Sequence, residues 1–146
     1  MPGTKNESLQ DCINIIKQDK NIKRDCKDVY SDMIPFFCGS KKSCRKRDKT
    51  ALEEAKNNII KYYSAVGILE DMEGSFRIFE KVLPDFFGEV LSKFKDSFEF
   101  FKEQSKTKSK NESESQEVYH YLKGRLGNEI ELYNFVAERM KQQNSL

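Results

Sequence analysis

A short apolar stretch at residues 64–68, Ser-Ala-Val-Gly-Ile, constrains the fold of this chain more than any other feature of its sequence. The stretch lies between two segments with helical spacing, and its length and composition predict a short buried strand. A strand cannot satisfy its own backbone hydrogen bonds, and the sequence offers it no convincing partner strand. Residues 64–68 therefore indicate either one strand of a larger α/β sheet or a linker within a small helical domain.

Helical spacing of apolar residues accounts for most of the remaining chain. A helix is predicted to begin near Thr50, where Thr50 and Glu53 have the spacing of a capping box. Its apolar face consists of Leu52, Ala55, Ile59, Tyr62 and Val66. Two further helices are separated at Pro84, which ends one and opens the next. The chain itself is predicted to be mainly α, with about four helices and at most one or two short strands.

These patterns divide the chain into four segments. In order, they are a cysteine-bearing segment (1–48), a helix–strand–helix–helix region (49–101), a basic polar loop (102–116) and a C-terminal helix (117–143). Within the last helix, Gly124 and Gly127 each cost about 1 kcal/mol of helix stability relative to alanine.

The charge balance argues against nucleic acid as a partner. The 26 basic and 24 acidic residues leave a net charge of only +2, so a polyanion would have to be bound by a local cluster. One cluster comprises the cations between residues 41 and 49: Lys41, Lys42, Arg45, Lys46, Arg47 and Lys49. It suits a sulfated or carboxylated glycan, but a nuclear localisation signal or a solvated charge run has the same composition.

Neither end of the sequence carries a targeting signal. No apolar run approaches the ~18 residues of a membrane span. Residues 1–7 are polar and lack the apolar core of a signal peptide. As written, the chain has no route into the secretory pathway.

Four cysteines, Cys12, Cys26, Cys38 and Cys44, lie in the first third of the chain. An even number suits a disulfide framework, for which three pairings exist. Zinc is disfavoured because there is no Cys-x-x-Cys pair and His120 is the sole histidine, so no metal site is predicted. Reduced, buried thiols remain the other interpretation. Glycosylation sequons at Asn6 and Asn111 favour an oxidising lumen.

Catalytic motifs are missing from the sequence. We find no Walker or Rossmann phosphate loop, no HExxH and no Gly-x-Ser-x-Gly elbow. His120, between Tyr119 and Tyr121, is interpreted as a partly buried structural histidine rather than as a general base. No catalytic residue is assigned.

Five short motifs, in order and spacing, resemble the heparan sulfate and uronyl 2-O-sulfotransferases. The first is Ile-Pro-Phe-Phe-Cys-Gly at residues 34–39, followed by Cys44. The others are Ala-Leu-Glu-Glu-Ala-Lys at 51–56 with Asn58, Val-Gly-Ile-Leu-Glu-Asp-Met-Glu at 66–73, Leu-Pro-x-Phe-Phe at 83–87 and Glu-Leu-Tyr-x-Phe at 131–135. Together with the cysteine pattern, the resemblance extends from Cys12 to Met140.

The resemblance implies a fold, a reaction and a cellular location. The family fold is an α/β sheet related to nucleotide kinases, in a Golgi-lumenal enzyme anchored as a type II membrane protein. Its reaction moves a sulfuryl group from 3′-phosphoadenylyl sulfate to the 2-hydroxyl of a uronic acid. The family's histidine base and its Pro-Lys-Thr loop for the 5′-phosphosulfate lie upstream of the matched region. The chain thus resembles a C-terminal portion, expected to be inactive alone.

The resemblance also implies particular residues and partners. Disulfides would link Cys12 to Cys26 and Cys38 to Cys44. Cofactor contacts would be Phe94, where the family usually has tyrosine, and Lys106, Thr107 and Lys110 in the following loop. An arginine expected just before that loop's Lys-Thr pair is replaced by Gln104 or Ser105. The implied partners are a glycosaminoglycan chain, the missing N-terminal half of the same enzyme and a second copy in a homo-oligomer.

Two other functions fit the same residues. One is a non-catalytic, secreted, disulfide-stapled helical module that binds polyanionic glycans through the cations between residues 41 and 49. The other is an intracellular helical interaction protein with reduced thiols. The state of the four thiols separates these hypotheses.

Overall fold

The computed structural model describes residues 9–18, 32–104 and 116–145, which are mostly helical. The α-helices are α1 (Leu9–Gln18), α2 (Met33–Cys38), α3 (Lys49–Tyr62), α4 (Met72–Val82), α5 (Pro84–Phe87), α6 (Val90–Gln104), α7 (Gln116–Arg125) and α8 (Gly127–Ser145). Two 3-10 helices, Lys42–Lys46 and Leu69–Asp71, precede α3 and α4. The prediction of a mainly α chain is confirmed, although the described residues form more and shorter helices than the four predicted.

The helices form two compact units. The first combines residues 1–32 with 111–127, and the second combines 33–110 with 128–146. In the first unit, α1 and α7 pack through Cys12, Ile13 and Val118. Lys17 and Glu117 add an ion pair of 2.9 Å on its surface.

The core of the second unit lies between α2, α3 and α8. Its buried members are Ile34, Cys38, Cys44, Ala51, Leu52, Ala55, Ile59, Leu132 and Val136. The predicted apolar face of α3 is confirmed at Leu52, Ala55 and Ile59, whereas Tyr62 is 67% exposed. The helix begins at Lys49 because Asp48, not Thr50, is its cap: the Asp48 carboxylate accepts a hydrogen bond of 2.9 Å from the backbone N–H of Ala51.

The C-terminal helix predicted over 117–143 is divided in two. α7 ends at Arg125 and α8 begins at Gly127, so Leu126 separates them. The glycines at 124 and 127 flank this break, and glycine weakens a helix interior by about 1 kcal/mol. Beyond the break, Leu132, Val136 and Met140 follow helical spacing and are buried.

The strand predicted at residues 64–68 does not form; the described part of the chain contains no strand. Side chains of α4 and α8 form hydrogen bonds with part of the backbone around residues 64–68, where a partner strand would otherwise do so. Arg139 and Gln143 donate to the carbonyl oxygens of Tyr63 and Ser64 at 3.2 and 3.0 Å. The Ile68 N–H donates to the hydroxyl of Ser75 at 2.9 Å. We refer to residues 63–68 as the linking segment.

Gly67 allows the linking segment to lie against α4. A Cβ atom at this position would lie 2.6 Å from both Cβ and Oγ of Ser75. Any larger residue would therefore push the segment away from the helix.

No helix among the described residues has the length and apolar character needed to cross a membrane.

Candidate functional site

Phe94, the predicted adenine contact, lines an open cleft of about 480 Å³ between the start of α4 and α6. Its ring lies 4.9 Å from the ring of Phe76 and 5.3 Å from that of Phe98. Phe94 is half-buried, and Phe98, which also lines the cleft, is 42% exposed. The ring contact between Phe76 and Phe94 belongs to the packing of α4 on α6, while Phe94 and Phe98 also line the cleft.

The opposite wall of the cleft is acidic. This wall is formed by Glu70, Asp71 and Glu73. Lys95, on α6, is the basic residue among those that line the cleft. Glu70 accepts a hydrogen bond of 2.9 Å from the hydroxyl of Tyr133, and this bond raises the pKa of Tyr133. Asp71 caps α4 at the N–H of Gly74, and Glu73 pairs with Arg77 and Lys95, both at 3.0 Å.

This charge distribution limits what the described walls can hold. Three carboxylates repel phosphate and sulfate groups, which need cations and N–H donors instead. The cleft can stack an aromatic base on Phe94 and Phe98, but its described residues offer a phosphate little beyond Lys95. Phosphate contacts would have to come from elsewhere in the protein.

Several predicted site residues lie outside the described residues. These are the loop residues Lys106, Thr107 and Lys110, the sequon residues Asn6 and Asn111, and Cys26. Cys12 is disulfide-bonded, but its pairing with Cys26 stays a prediction. His120, interpreted as partly buried, is exposed, and its Nδ1 lies 2.7 Å from the carbonyl oxygen of Gln116 in the same helix.

The predicted disulfide between Cys38 and Cys44 is confirmed, with the Cα atoms 5.6 Å apart. It joins the end of α2 to the 3-10 helix Lys42–Lys46, which we call the basic turn. Both cysteines are buried in the core of the second unit. The bridge therefore fixes the basic turn to the core from the inside.

The cations between residues 41 and 49 divide into two groups. Lys41 pairs with Glu54 at 3.1 Å, and Arg47 lies 3.9 Å from the buried carboxylate of Glu129. By contrast, Lys42, Arg45 and Lys46 are exposed and form no ion pair with any described residue. Lys49, the first residue of α3, contributes to lowering the pKa of Glu131. Three of the six cations thus interact with carboxylates of the fold, while the three of the basic turn face the solvent.

Glu129 is a structural residue that the sequence does not point to. Its side chain is buried on α8, and Oε2 accepts a hydrogen bond of 3.1 Å from the backbone N–H of Ile34 in the first turn of α2. A carboxylate at a helix N-terminus complements the helix dipole. Glu129 therefore links α8, α2 and, through Arg47, the end of the basic turn. Glutamate on a polar helix gives no periodic signal that would mark it as buried.

The linking segment also borders an apolar groove of about 400 Å³. Its lining includes Phe37, Val66, Ile68, Leu69 and Leu132. Leu69 is 81% exposed. The backbone N–H and C=O groups of Ala65, Val66 and Gly67 make no hydrogen bond within the described part of the chain. Backbone groups without a partner beside an apolar groove are features of an edge that can accept a strand.

Residues of the sequence motifs that are far apart in the chain contact each other. The side chain of Asn58 donates to the carbonyl oxygens of Phe37 and Cys38, both at 3.0 Å. Lys56 pairs with Glu131 at 2.6 Å. Together with the bond from Tyr133 to Glu70, these contacts join four of the five motifs, so the motifs share one structural framework.

Comparison with known proteins gives relatives of the kind that the motifs indicated. The chain is 36% identical over 107 residues to uronyl 2-sulfotransferase of Homo sapiens and 37% identical over 108 residues to that of Mus musculus; each match covers 73% of this chain and 26% of the relative. It is 44% identical over 55 residues to heparan sulfate 2-O-sulfotransferase 1 of Gallus gallus, which is 37% of this chain and 15% of the relative. No family model and no solved structure matches.

The chain thus spans about a quarter of the length of the uronyl 2-sulfotransferases that it matches. Identity of this level over most of the chain reflects common descent. The contacts between the motifs within the second unit are consistent with this relationship. The matched part of this chain belongs to the family of uronyl and heparan sulfate 2-O-sulfotransferases.

Proposed function

We propose that this chain is the C-terminal portion of a glycosaminoglycan 2-O-sulfotransferase. The observation that carries the proposal is the similarity to uronyl 2-sulfotransferases over 73% of this chain but only 26% of theirs. The reaction takes a sulfuryl group from 3′-phosphoadenylyl sulfate to the 2-hydroxyl of a uronic acid within a glycosaminoglycan chain. The new S–O bond forms as the bond from sulfur to the 5′-phosphate oxygen breaks, and the hydroxyl proton passes to a base.

The apolar groove supports the view that this portion works within a larger domain. An α/β sulfotransferase sheet needs strands, and the described residues supply none. The linking segment has unpaired backbone groups at Ala65, Val66 and Gly67 beside apolar side chains. A strand from the N-terminal half of the same enzyme would satisfy those groups and cover the groove.

In this proposal the chain contributes one edge of the donor site. Phe94 stacks on the adenine, while Lys106, Thr107 and Lys110 contact phosphate through charge-assisted hydrogen bonds. The acidic wall at Glu70 to Glu73 supports these separate positions for adenine and phosphate, because its carboxylates repel phosphate but do not prevent the adenine from lying in the cleft. The histidine base and the 5′-phosphosulfate loop belong to the N-terminal half, so the chain alone does not transfer sulfate.

The confirmed Cys38–Cys44 disulfide supports an oxidising compartment, because disulfides persist in the secretory pathway and are rare in the cytosol. We propose that the full-length enzyme resides in the Golgi lumen as a type II membrane protein, with Asn6 and Asn111 as glycosylation sites. Peptide mapping of secreted protein tests the assignment, and free thiols at all four cysteines would contradict it.

A chimera tests the proposed function directly. The matched C-terminal segment of human uronyl 2-sulfotransferase is replaced by the corresponding residues of this chain, and labelled sulfate transfer to a desulfated glycosaminoglycan is measured. We expect activity from the chimera and none from the isolated chain. A folded, secreted chimera without activity, or robust labelling by the isolated chain, would show that the proposal is wrong.

Substitution of Phe94 in the chimera tests the donor site. Phe94→Ala is expected to weaken binding of adenosine 3′,5′-bisphosphate by about 1–3 kcal/mol, the range for loss of base stacking. Phe86→Ala is the matched control, since Phe86 is 83% exposed and does not line the cleft. Equal affinity in both variants would remove Phe94 from the site.

A further inference from the structure

We propose that the basic turn, Lys42–Lys46, is a binding surface for a sulfated glycosaminoglycan chain, with Lys42, Arg45 and Lys46 as its contact residues. The ligand class rests on the proposed function, because an enzyme of this kind acts on a polymer that carries carboxylate and sulfate groups. Three properties of the turn make it suitable for binding: its geometry, its rigidity and its unpaired charge.

The 3-10 geometry sorts the side chains of the turn into three directions. A 3-10 helix has three residues per turn, so side chains three positions apart lie above one another. Cys44 points into the core and is completely buried. The other two directions carry Lys42 above Arg45 and Ser43 above Lys46. With a rise of about 2 Å per residue, Lys42 and Arg45 lie about 6 Å apart along the axis, on one outward-facing ridge.

The turn is fixed at both ends. The disulfide holds its centre to α2, and the Lys41–Glu54 ion pair of 3.1 Å lies before its first residue. After its last residue, Arg47 adopts the left-handed conformation with φ 53°, and its carbonyl oxygen accepts a hydrogen bond of 2.8 Å from Asn128. A backbone already held in place loses less entropy when its side chains bind a ligand.

The charge of the turn is available to a ligand. Lys42, Arg45 and Lys46 make no ion pair with a described residue, whereas Lys56, Arg77, Lys93 and Lys95 elsewhere in the same unit each pair with a glutamate. The exposed hydroxyls of Ser40 and Ser43 add neutral donors beside these cations. Arginine and lysine with nearby donors match the oxygens of sulfate and carboxylate groups.

Salt-dependent binding to immobilised heparin tests the surface on the isolated chain. A triple variant, Lys42→Ser, Arg45→Ser and Lys46→Ser, is compared with a control that removes three exposed lysines of the same unit: Lys61→Ser, Lys81→Ser and Lys141→Ser. Both variants lose the same net charge. We expect the dissociation constant to rise about tenfold in the triple variant, on the scale of three exposed ionic contacts, and to change by less than twofold in the control.

Several outcomes would overturn the inference. Equal weakening in both variants would mean that only net charge matters. Tighter, turn-dependent binding of duplex DNA than of heparin would assign the surface to nucleic acid. Circular dichroism checks that the triple variant is folded. If it is not, Lys42→Gln with Arg45→Gln is compared with Lys61→Gln with Lys141→Gln, which loses the same net charge. If the chimera is inactive but heparin binding still depends on the basic turn, only the proposed function is rejected. If the chimera is active but the triple variant binds heparin as the native chain does, only this inference is rejected.

Discussion

The contact between Gly67 and Ser75 gives the sharpest test of the structure. In Gly67→Ala, the new methyl group lies 2.6 Å from both Cβ and Oγ of Ser75 and 3.0 Å from the ring of Phe79. Carbon atoms in favourable contact are about 3.5–4.0 Å apart, so the linking segment must move by about 1 Å. That movement lengthens the 2.9 Å hydrogen bond from the Ile68 N–H to Ser75 beyond the bonding range.

The expected loss of stability has two parts. Overpacking costs about 1–3 kcal/mol, and the lost hydrogen bond costs about 1 kcal/mol. The sum is about 2–4 kcal/mol. Urea unfolding followed by circular dichroism measures it; with a slope of about 2 kcal/mol per molar, the midpoint falls by about 1–2 M.

Three further variants separate steric overlap from a general effect of alanine. Ser75→Gly removes the two atoms 2.6 Å from the methyl group and leaves the Phe79 ring at 3.0 Å. The double variant Gly67→Ala with Ser75→Gly should therefore be more stable than the sum of the single effects predicts. Gly124→Ala is the control: a Cβ there meets nothing within 4 Å, and α7 should gain up to about 1 kcal/mol. An unchanged midpoint for Gly67→Ala, or strict additivity in the double variant, would refute the steric argument.

Three other predictions concern caps and ion pairs. Asp48→Ala removes the cap of α3 and should cost about 1 kcal/mol in urea unfolding; Asp48→Asn should retain most of that stability, and equal loss in both would contradict capping. Glu129→Ala removes the buried acceptor of the first turn of α2 and should cost about 1.5–3 kcal/mol, so a midpoint like that of the native chain would show that this bond contributes little. The hydrogen bond from Lys56 lowers the pKa of Glu131, so its stabilisation is full above the unfolded carboxyl pKa of about 4.3 and disappears as the pH falls through the lower folded pKa. The stability difference between the native chain and Lys56→Met should therefore shrink from pH 6 to pH 3, and a constant difference would argue against the ion pair.

The sequence predicts the features that depend on local pattern. Three features follow from spacing or from motif resemblance, and the structure agrees with them. They are the buried face of α3 at Leu52, Ala55 and Ile59, the role of Pro84 at the start of α5, and the Cys38–Cys44 bridge. Features that depend on distant contacts are missed. No local pattern shows that Glu129 would be buried against α2, or that side chains of α8 would replace a partner strand beside Tyr63.

The candidate site is predicted less completely than the fold. Phe94 lines a cleft, and its role as an adenine contact stays a prediction; the acidic wall opposite is a consequence of how α4 begins. Asp71 is the N-cap of that helix and Glu73 lies in its first turn, and carboxylates are favoured at both positions. Their proximity to Phe94 depends on the packing of α4 on α6, which sequence spacing alone does not define.

The bond between Glu129 and Ile34 has a consequence for the order in which the chain folds. Its partners are 95 positions apart, whereas Asn58 contacts Phe37 across only 21. Closing the shorter loop loses less entropy, so α2, the basic turn and α3 can assemble while α8 is still absent. At about 5–20 residues per second, synthesis from the end of α3 at Tyr62 to the end of α8 at Ser145 takes about 4–17 s, and during this time α8 does not cover the apolar side of α2 and α3. A nascent chain paused before residue 128 should be a substrate for chaperones, and completion of α8 should release it.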